Sequence, residues 1–197
     1  MNNPLSTKGD LRKYAKTVRN SLPVAEIAVA IREQLASLEA IQQANTIALY
    51  SPLPGELDLL PMIGQLKEKT WLFPRLGEAT QGEAEVLCFH QYCLGDPIQL
   101  HAFGMAEPLS EAPVLPETQP IDVMILPALM ADAQGYRLGY GKGYYDRFLS
   151  HPQNNPVTHR LVAIAEALVV PTLPRDLWDQ PVDIIVTEKQ IRFPNSF

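Results

Sequence analysis

Apolar residues recur along the chain with helical and strand-like spacings, and the alternation of the two predicts a mixed α/β protein. A helical stripe covers residues 11–22 and ends before Pro23. Thr7, with Asp10 three residues later, is typical of a capping box at the start of this helix. A second amphipathic helix is predicted at residues 23–38.

Short apolar runs between the helices predict buried strands. We expect these strands at residues 46–50, 71–75, 84–89, 121–126, 160–165 and 183–187. Pro74 would end the second strand, a turn at Gly82 would precede the third, and a helix capped by Asp58 would extend to about Lys67. The pattern favours an α/β sandwich with a mostly parallel sheet, in which ligands bind at the carboxyl ends of the strands.

The segment 135–149 follows the central predicted strand and carries phosphate-binding chemistry. Three glycines are expected to adopt positive φ and to aim backbone N–H groups into one anion-sized concavity: Gly139, Gly141 and Gly143. Lys142 adds a charge suited to terminal phosphates, and a helix beginning at Tyr144 would point its N-terminus at the same place. Asp146 lies in that first turn, where a carboxylate near phosphates requires an intervening cation, so we predict a Mg²⁺ ligand.

This segment differs from two familiar nucleotide-binding motifs. A Walker loop requires a glycine where Tyr136 stands and a Ser or Thr where Gly143 stands. The dinucleotide fingerprint requires a third glycine at a position that Tyr144 or Asp146 occupies. On the glycines alone, a strand-to-helix turn that binds no ligand stays open as an alternative.

The first predicted helix is rich in cations, which usually form a solvated face. They are Lys8, Arg12, Lys13, Lys16 and Arg19. Lys8 and Arg12 are four residues apart, so they share one helix face and could clamp one polyphosphate. Glu56 follows the first strand after a rigid proline-containing turn, which places it where α/β proteins bind ligands, although an ordinary solvated loop residue is the alternative.

Several other polar residues have a structural interpretation or a weak functional one. Asp132 is expected to hold a turn through an Asx hydrogen bond, and Arg75 at a strand end is a candidate contact for an anion. Cys88 and Cys93 lack a second ligand pair at zinc-finger spacing, so we do not interpret them as metal ligands.

Composition narrows the class of protein further. The chain has 197 residues, of which 46% are hydrophobic, and this suits one domain spanning residues 1–197. Its formal net charge of -6 argues against binding to nucleic acid or an anionic membrane by bulk electrostatics. We see neither a signal peptide nor an apolar run long enough to cross a bilayer, so we expect a cytoplasmic protein.

The stretch RLGYGKGYYDRF at residues 137–148 resembles the signature of the 5-formyltetrahydrofolate cyclo-ligases, also called 5,10-methenyltetrahydrofolate synthetases. The resemblance implies the fold shared by ribose phosphate isomerases and CoA transferases. It also implies ATP- and Mg²⁺-dependent cyclisation of 5-formyltetrahydrofolate to 5,10-methenyltetrahydrofolate, with phosphorylation of the formyl oxygen and ring closure by N10. The expected partner is this small-molecule folate, including polyglutamylated forms, and the expected state is a monomer.

The resemblance also assigns roles to residues. It implies catalytic roles for Lys142, Arg137 and Tyr144 and metal binding by Asp146 and Asp179, with Asp183 structural. ATP would contact Lys8, Arg12, Arg137, Leu138, Gly139, Tyr140, Gly141, Lys142, Gly143, Tyr144 and Tyr145. Folate would contact Ser51, Glu56, Tyr140, Gly141, Lys142, Gly143 and Tyr144. For the tyrosines, and for Tyr145 above all, packing in the core is the alternative.

One segment departs from the family pattern, and two other functions stay open. Residues 103–108 resemble a Gly-x-x-Glu-Pro segment of the family, but Met105 and Ala106 replace the aromatic residue often found before that Glu. A phosphosugar isomerase or CoA-transferase relative would use the same fold without hydrolysing ATP. A non-catalytic binder would take up folate and nucleotide and turn over neither.

Overall fold

The computed structural model describes residues 7–77, 86–101 and 104–194. The helices in these ranges are α1 (Lys8–Asn20), α2 (Val24–Ser37), α3 (Glu39–Gln43), α4 (Pro61–Gln65) and α5 (Tyr144–Ser150). The strands are β1 (Thr46–Ala48), β2 (Thr70–Leu76), β3 (Leu87–Gln91), β4 (Ile98–Leu100), β5 (Ala106–Pro108), β6 (Ile121–Leu126), β7 (Met130–Asp132), β8 (Arg137–Leu138), β9 (Val157–Ala163), β10 (Val169–Val170), β11 (Ile184–Val186) and β12 (Ile191–Arg192).

A seven-stranded sheet forms the centre of the fold, in the order β12-β11-β9-β6-β1-β2-β3. Its inner pairings, from β11 through β9, β6 and β1 to β2, are parallel, while β12 and β3 join the two edges antiparallel. The mixed α/β class with a mostly parallel sheet is therefore as predicted. β6 lies in the middle of the order, as expected for the strand that precedes the glycine segment.

Local sequence signals explain the first two helices. The Thr7 side chain caps α1 and accepts a hydrogen bond of 3.2 Å from the Asp10 backbone N–H, as the capping box predicts. The apolar stripe of α1 packs inwards and buries Leu11 and Ala15. The stripe of α2 continues into the core, where Ile31 and Leu35 are fully buried.

Several predicted boundaries differ from the structure, among them those of β2, β3 and α4. β2 runs through Pro74, which pairs with Phe89 of the antiparallel edge strand β3, so this proline does not end the strand. The strand predicted from residue 84 begins at Leu87 within the described chain, and the predicted turn at Gly82 lies outside the described residues. α4 begins at Pro61 and ends at Gln65, while the Asp58 side chain accepts from the Leu60 N–H just before it.

A hairpin that the sequence analysis missed follows β6, and its second strand lies at the start of the glycine segment. β7 and β8 pair antiparallel and form a separate three-stranded sheet with β10. Asp132 is fully buried at the hairpin turn and accepts from the N–H groups of Gln134 and Tyr136, which confirms the predicted Asx turn. Gly135 has φ +89°, and a Cβ there would lie 2.7 Å from the Val182 carbonyl oxygen, so only glycine fits this turn.

Candidate functional site

A cavity of about 480 Å³ lies where the glycine segment meets the ends of the central strands, within the size range of small-molecule sites. Tyr50, two residues after β1, and Pro127, directly after β6, both line it. All the residues proposed for the site from the sequence line it too. They are Lys8, Arg12, Ser51, Glu56, Arg137, Leu138, Gly139, Tyr140, Gly141, Lys142, Gly143, Tyr144, Tyr145, Asp146 and Asp179.

The glycine segment approaches α1 closely. Gly141 has φ +99°, and a Cβ at this position would lie 3.1 Å from the guanidinium carbon of Arg12. The Arg12 Nε also donates a 2.9 Å hydrogen bond to the Gly139 carbonyl oxygen, which ties α1 to the segment. Gly143 has φ +69° and precedes α5, but Gly139 does not have positive φ, so that part of the prediction was wrong.

Lys8 and Arg12, the two cations of α1 that were predicted to contact phosphate, have different partners. Arg12 holds the glycine segment, whereas the Lys8 ammonium lies 2.5 Å from an oxygen of Asp179 and 2.7 Å from an oxygen of Asp176. Burial alone would lower the pKa of Lys8, but the hydrogen bonds and charges of Asp179 and Asp176 outweigh it and raise that pKa. A predicted phosphate contact and a predicted metal ligand are therefore paired with each other.

Arg137 and Asp146 form a second ion pair, with 3.1 Å between Nη2 and Oδ1. The Arg137 side chain is only 4% exposed, and its Nε has no hydrogen-bond partner among the described residues. Asp146 also accepts from the Gln180 N–H at 3.2 Å. Such a buried guanidinium with an unsatisfied donor beside a cavity suits a negatively charged ligand.

The remaining residues of the segment surround these pairs. Lys142 is exposed, and its carbonyl oxygen accepts a 2.8 Å hydrogen bond from Arg147 Nη1. The guanidinium carbon of Arg147 lies 5.0 Å from the centroid of the Tyr144 ring. Four cations thus line the cavity, and we call the part of the lining that they form the cation end: Lys8, Arg12, Arg137 and Lys142.

A second part of the lining, which we call the tyrosine end, contains one carboxyl group among three phenols. It is formed by Tyr50, Glu56, Tyr140 and Tyr145. The Glu56 side chain is 6% exposed, and its Oε1 accepts a short hydrogen bond from the Tyr140 hydroxyl while Oε2 accepts one of 2.7 Å from the Leu53 N–H. Burial raises the pKa of Glu56, and these hydrogen bonds together with the charge of Arg19 offset only part of the rise.

Burial also raises the pKa values of the three phenols, and the charge of Glu56 adds to the effect. The tyrosines of this end are therefore neutral at physiological pH and can donate hydrogen bonds. Tyr145 packs against the hydrophobic core, as its structural alternative predicted, and it also lines the cavity.

Some polar residues near the cavity are occupied by structural contacts. Arg75, the weak candidate for an anion contact, donates to the Pro108 carbonyl at 2.8 Å and lies 3.8 Å from Glu107. Glu107 is 1% exposed and accepts from the Leu76 N–H, which anchors the segment carrying Met105 and Ala106 to β2. Phe103 of that segment lies outside the described residues.

Sequence reasoning missed several residues of the site. Arg19 was grouped with the solvated cations of α1, but its side chain is 13% exposed and its Nη1 donates a 2.8 Å hydrogen bond to the Tyr140 hydroxyl. It lies seven residues after Arg12, hence on the same helix face, and this spacing was the available signal. Asp176 and Trp178 also line the cavity, but they lie in an irregular segment where no periodicity pointed to them.

The architecture agrees with comparisons to known proteins. The model of the 5-formyltetrahydrofolate cyclo-ligase family matches residues 5–188 of the chain. The chain belongs to this family. The 5-formyltetrahydrofolate cyclo-ligase of Haemophilus influenzae is 32% identical over 161 residues, which cover 80% of this chain and 83% of that relative. The enzyme of the same name from Escherichia coli K12 is 31% identical over 157 residues, covering 77% and 82%.

A solved structure shows the same relationship in three dimensions. The NMR structure of Aquifex aeolicus 5,10-methenyltetrahydrofolate synthetase superposes with a TM-score of 0.78 at 32% sequence identity. The match covers 96% of this chain and 94% of that one. The chain is therefore a cyclo-ligase with a small-molecule folate substrate. Among the described residues, no helix is long and apolar enough to cross a membrane.

Proposed function

We propose that this cyclo-ligase converts 5-formyltetrahydrofolate to 5,10-methenyltetrahydrofolate at the expense of ATP, with Mg²⁺ and with release of ADP and phosphate. The observation that carries the proposal is one cavity whose lining combines the four cations of the cation end with the buried carboxyl group of the tyrosine end. We propose that the first end takes the triphosphate and the second takes the folate, and that residues 1–197 act as one domain.

The chemistry explains why phosphate is needed. The formyl group on N5 is amide-like, and its oxygen would leave as hydroxide only with difficulty. In the proposed first step, the formyl oxygen bonds to the γ-phosphorus while the β–γ bridging bond breaks, and ADP departs. N10 then attacks the formyl carbon, the carbon–oxygen bond breaks with phosphate as leaving group, and N10 loses its proton. No nucleophile from the protein is required.

Catalysis in this scheme comes from position and charge. Lys142 and Arg137 would stabilise the charge on the transferring phosphoryl group, and Lys8 and Arg12 would hold the remaining phosphate oxygens. The unsatisfied Nε of Arg137 supports its role, because a phosphate oxygen would supply the missing acceptor. The ring of Tyr144 would contact whichever planar group, pterin or adenine, lies beside the glycine segment.

The carboxylates at the cation end fit Mg²⁺. Within the described ranges, no group of three or more His, Cys, Asp or Glu side chains could hold a metal ion alone. Magnesium commonly uses one or two protein carboxylates together with substrate phosphates, so Asp146 and Asp179 are a sufficient protein contribution. Mg²⁺ at these carboxylates would neutralise charge on the phosphates. Lys8, which now pairs with Asp179, would then contact phosphate instead.

The tyrosine end supplies contacts for the folate. Glu56 can accept hydrogen bonds from the N–H groups of a pterin, Tyr140 and Ser51 add polar contacts, and Met105 and Ala106 contribute an apolar wall. Because Ala106 offers no ring for stacking, we expect the neighbouring tyrosines to provide the aromatic contact with the pterin.

An anaerobic turnover assay tests the proposal directly. Purified protein is mixed with Mg²⁺, ATP and 5-formyltetrahydrofolate, and methenyl-folate absorbance is followed together with released phosphate. We expect both products in equal amounts, with loss of both when any component is omitted. If folded protein binds ATP but forms neither product, the proposed reaction is wrong.

A further inference from the structure

Arg19 faces the tyrosine end from the last turn of α1. Its Nη1 donates to the Tyr140 hydroxyl at 2.8 Å and lies 3.8 Å from Glu56 Oε1. The side chain is 13% exposed, and its Nε has no hydrogen-bond partner among the described residues. Burial removes the Arg19 guanidinium from water, and its Nε gains no hydrogen bond among the described residues in return. The contacts of its Nη1 with Tyr140 and Glu56 are therefore the ones that compensate for the lost hydration.

These contacts form a directed chain of hydrogen bonds. Arg19 donates to the Tyr140 hydroxyl, this hydroxyl donates to Glu56 Oε1, and the Leu53 N–H donates to Glu56 Oε2. This series of hydrogen bonds joins three separate segments, namely α1, the glycine segment and the loop after β1. It therefore fixes the direction in which the Glu56 carboxylate faces the cavity.

We propose that Arg19 is a positioning residue for Glu56, the side chain proposed to bind folate: acting through Tyr140, it holds the Glu56 carboxyl group in the orientation that the substrate requires. This inference rests on the proposed function, in which Glu56 binds the folate. Arg19 itself does not line the cavity, so its effect on the substrate passes through its two partners. It extends the role of α1 beyond the phosphate contacts of Lys8 and Arg12.

The surroundings of Glu56 make Arg19 its principal countercharge. The groups that face Glu56 are Arg19 from α1, Tyr140 from the glycine segment, and the phenols of Tyr50 and Tyr145. Lys16 reaches only the ring of Tyr140, at 5.9 Å from its centroid. Because burial raises the pKa of Glu56 and Arg19 opposes that rise, loss of Arg19 raises this pKa further.

The test compares three variants on the same helix. Arg19→Gln removes the charge, Arg19→Lys keeps it, and Lys13→Gln is the matched control because Lys13 is exposed. Calorimetry measures binding of 5-formyltetrahydrofolate without ATP and, separately, binding of a non-hydrolysable ATP analogue. We expect Arg19→Gln to weaken folate binding about tenfold and nucleotide binding less than threefold, Arg19→Lys to recover part of the loss, and Lys13→Gln to change neither.

Two further measurements separate positioning from simple support of the fold. In a Glu56→Gln background, Arg19→Gln should weaken folate binding less than twofold further, because both changes break one chain of contacts. The acid limb of kcat/KM for the folate should also move to higher pH in Arg19→Gln and stay in place in Arg19→Lys. A purely structural role would lower the melting temperature without moving that limb.

Failure of this inference is distinguishable from failure of the proposed function. If the unmodified protein neither binds 5-formyltetrahydrofolate nor turns it over, the proposed function and the role of Arg19 fall together. If the unmodified protein binds and turns over folate, but Arg19→Gln weakens both ligands equally or adds its full effect to Glu56→Gln, the role of Arg19 alone is wrong.

Discussion

The two ends of the cavity handle charge in opposite ways. At the cation end, Lys8 pairs with Asp179 and Arg137 pairs with Asp146, so two of the four side chains proposed for phosphate neutralise the two proposed for metal. At the tyrosine end, a single buried carboxyl group is surrounded by phenols, and its nearest cation, Arg19, reaches it mainly through Tyr140.

Under the proposed function, this difference would let one cavity suit two unlike substrates. The ion pairs keep each charge neutralised before a ligand binds. When a metal–triphosphate complex binds, phosphate could replace the carboxylate beside each cation, and the metal ion could replace the cation beside each carboxylate. The carboxyl group at the tyrosine end is instead held in one orientation, which suits recognition of a rigid heterocycle by a few directed hydrogen bonds. Under the proposed function, the ion pairs of the cation end would thus exchange partners when ligands bind, whereas the carboxyl group of the tyrosine end would keep one orientation.

The largest effect is expected from removing charge at the cation end. Lys142→Ala should lower kcat by about a hundredfold to a thousandfold, or about 2.7–4 kcal/mol, because a preorganised charge at the transferring phosphoryl group is lost. Steady-state kinetics with saturating folate measures this effect, and circular dichroism checks that the fold is retained. Lys67→Ala, at an exposed lysine in another segment, is the control. Near-normal turnover in Lys142→Ala would remove this residue from the mechanism.

A substitution at the tyrosine end should have a smaller effect than Lys142→Ala, and this effect should be confined to the binding of folate. Glu56→Gln replaces a charged acceptor by a neutral one, so folate binding should weaken by about 1.5–3 kcal/mol while nucleotide binding changes little. Calorimetric titration with each ligand separately provides the measurement. Glu117→Gln, at an exposed position, is the matched control. Equal losses for both ligands would show that the two ends are not functionally distinct.

The pH dependence of stability should reveal the buried carboxyl group. Because the folded-state pKa of Glu56 is raised, its contribution to stability is fully present below the ordinary pKa near 4.5 and is lost as pH rises through the folded value. Relative to Glu56→Gln, the unmodified protein should therefore become less stable across that window. Urea unfolding at a series of pH values measures the difference.

Glu166 is a carboxyl group whose pKa is shifted in the opposite direction to that of Glu56. Hydrogen bonds from Arg192 lower the pKa of Glu166, so its contribution is present above the ordinary pKa and is lost as pH falls through the lowered value. Unfolding of Glu166→Gln in the same buffers should show this reversed trend. The same trend in both variants would mean that Glu56 does not titrate as the buried group we describe.

The smallest effect is expected at the exposed edge of the cation end. Asp176→Asn removes an ion pair with Lys8 in which the Asp176 side chain is 45% exposed, so it should cost less than about 1 kcal/mol of stability. The loss should shrink further in high salt. Thermal unfolding with and without salt measures it, and a cost of several kcal/mol would show that the pairs at this end are not exchangeable.

The sequence predicted the helices and strands that have strong periodicity, but it missed short elements. β6 has the predicted bounds, and α1 begins at its predicted cap. The β7–β8 hairpin escaped prediction because strands of two or three residues carry no usable period, and it depends on Asp132 contacts that span 41 residues to Leu173. The prediction that Pro74 ends β2 was wrong, because β2 accepts a proline where it pairs with the edge strand β3.

For the site, the sequence indicated the chemistry of individual side chains, but it did not indicate which side chains contact one another. The glycine segment, Lys8 and Arg12 stood out because spacing and side-chain type indicate a phosphate site directly. The link from Arg19 through Tyr140 to Glu56 joins positions up to 121 residues apart, and no local pattern records it. The same holds for the pairing of Lys8 with Asp179, at a separation of 171 residues.

The sequence by itself therefore determined the α/β class, the central strand, the glycine segment and many of the residues that face the cavity. These features follow from local periodicity, backbone freedom at glycine and the chemistry of single side chains. Tertiary structure alone decided which of those residues neutralise one another and which residue orients the buried carboxylate. Charge pairing and desolvation depend on distances and burial, and only the folded chain sets these.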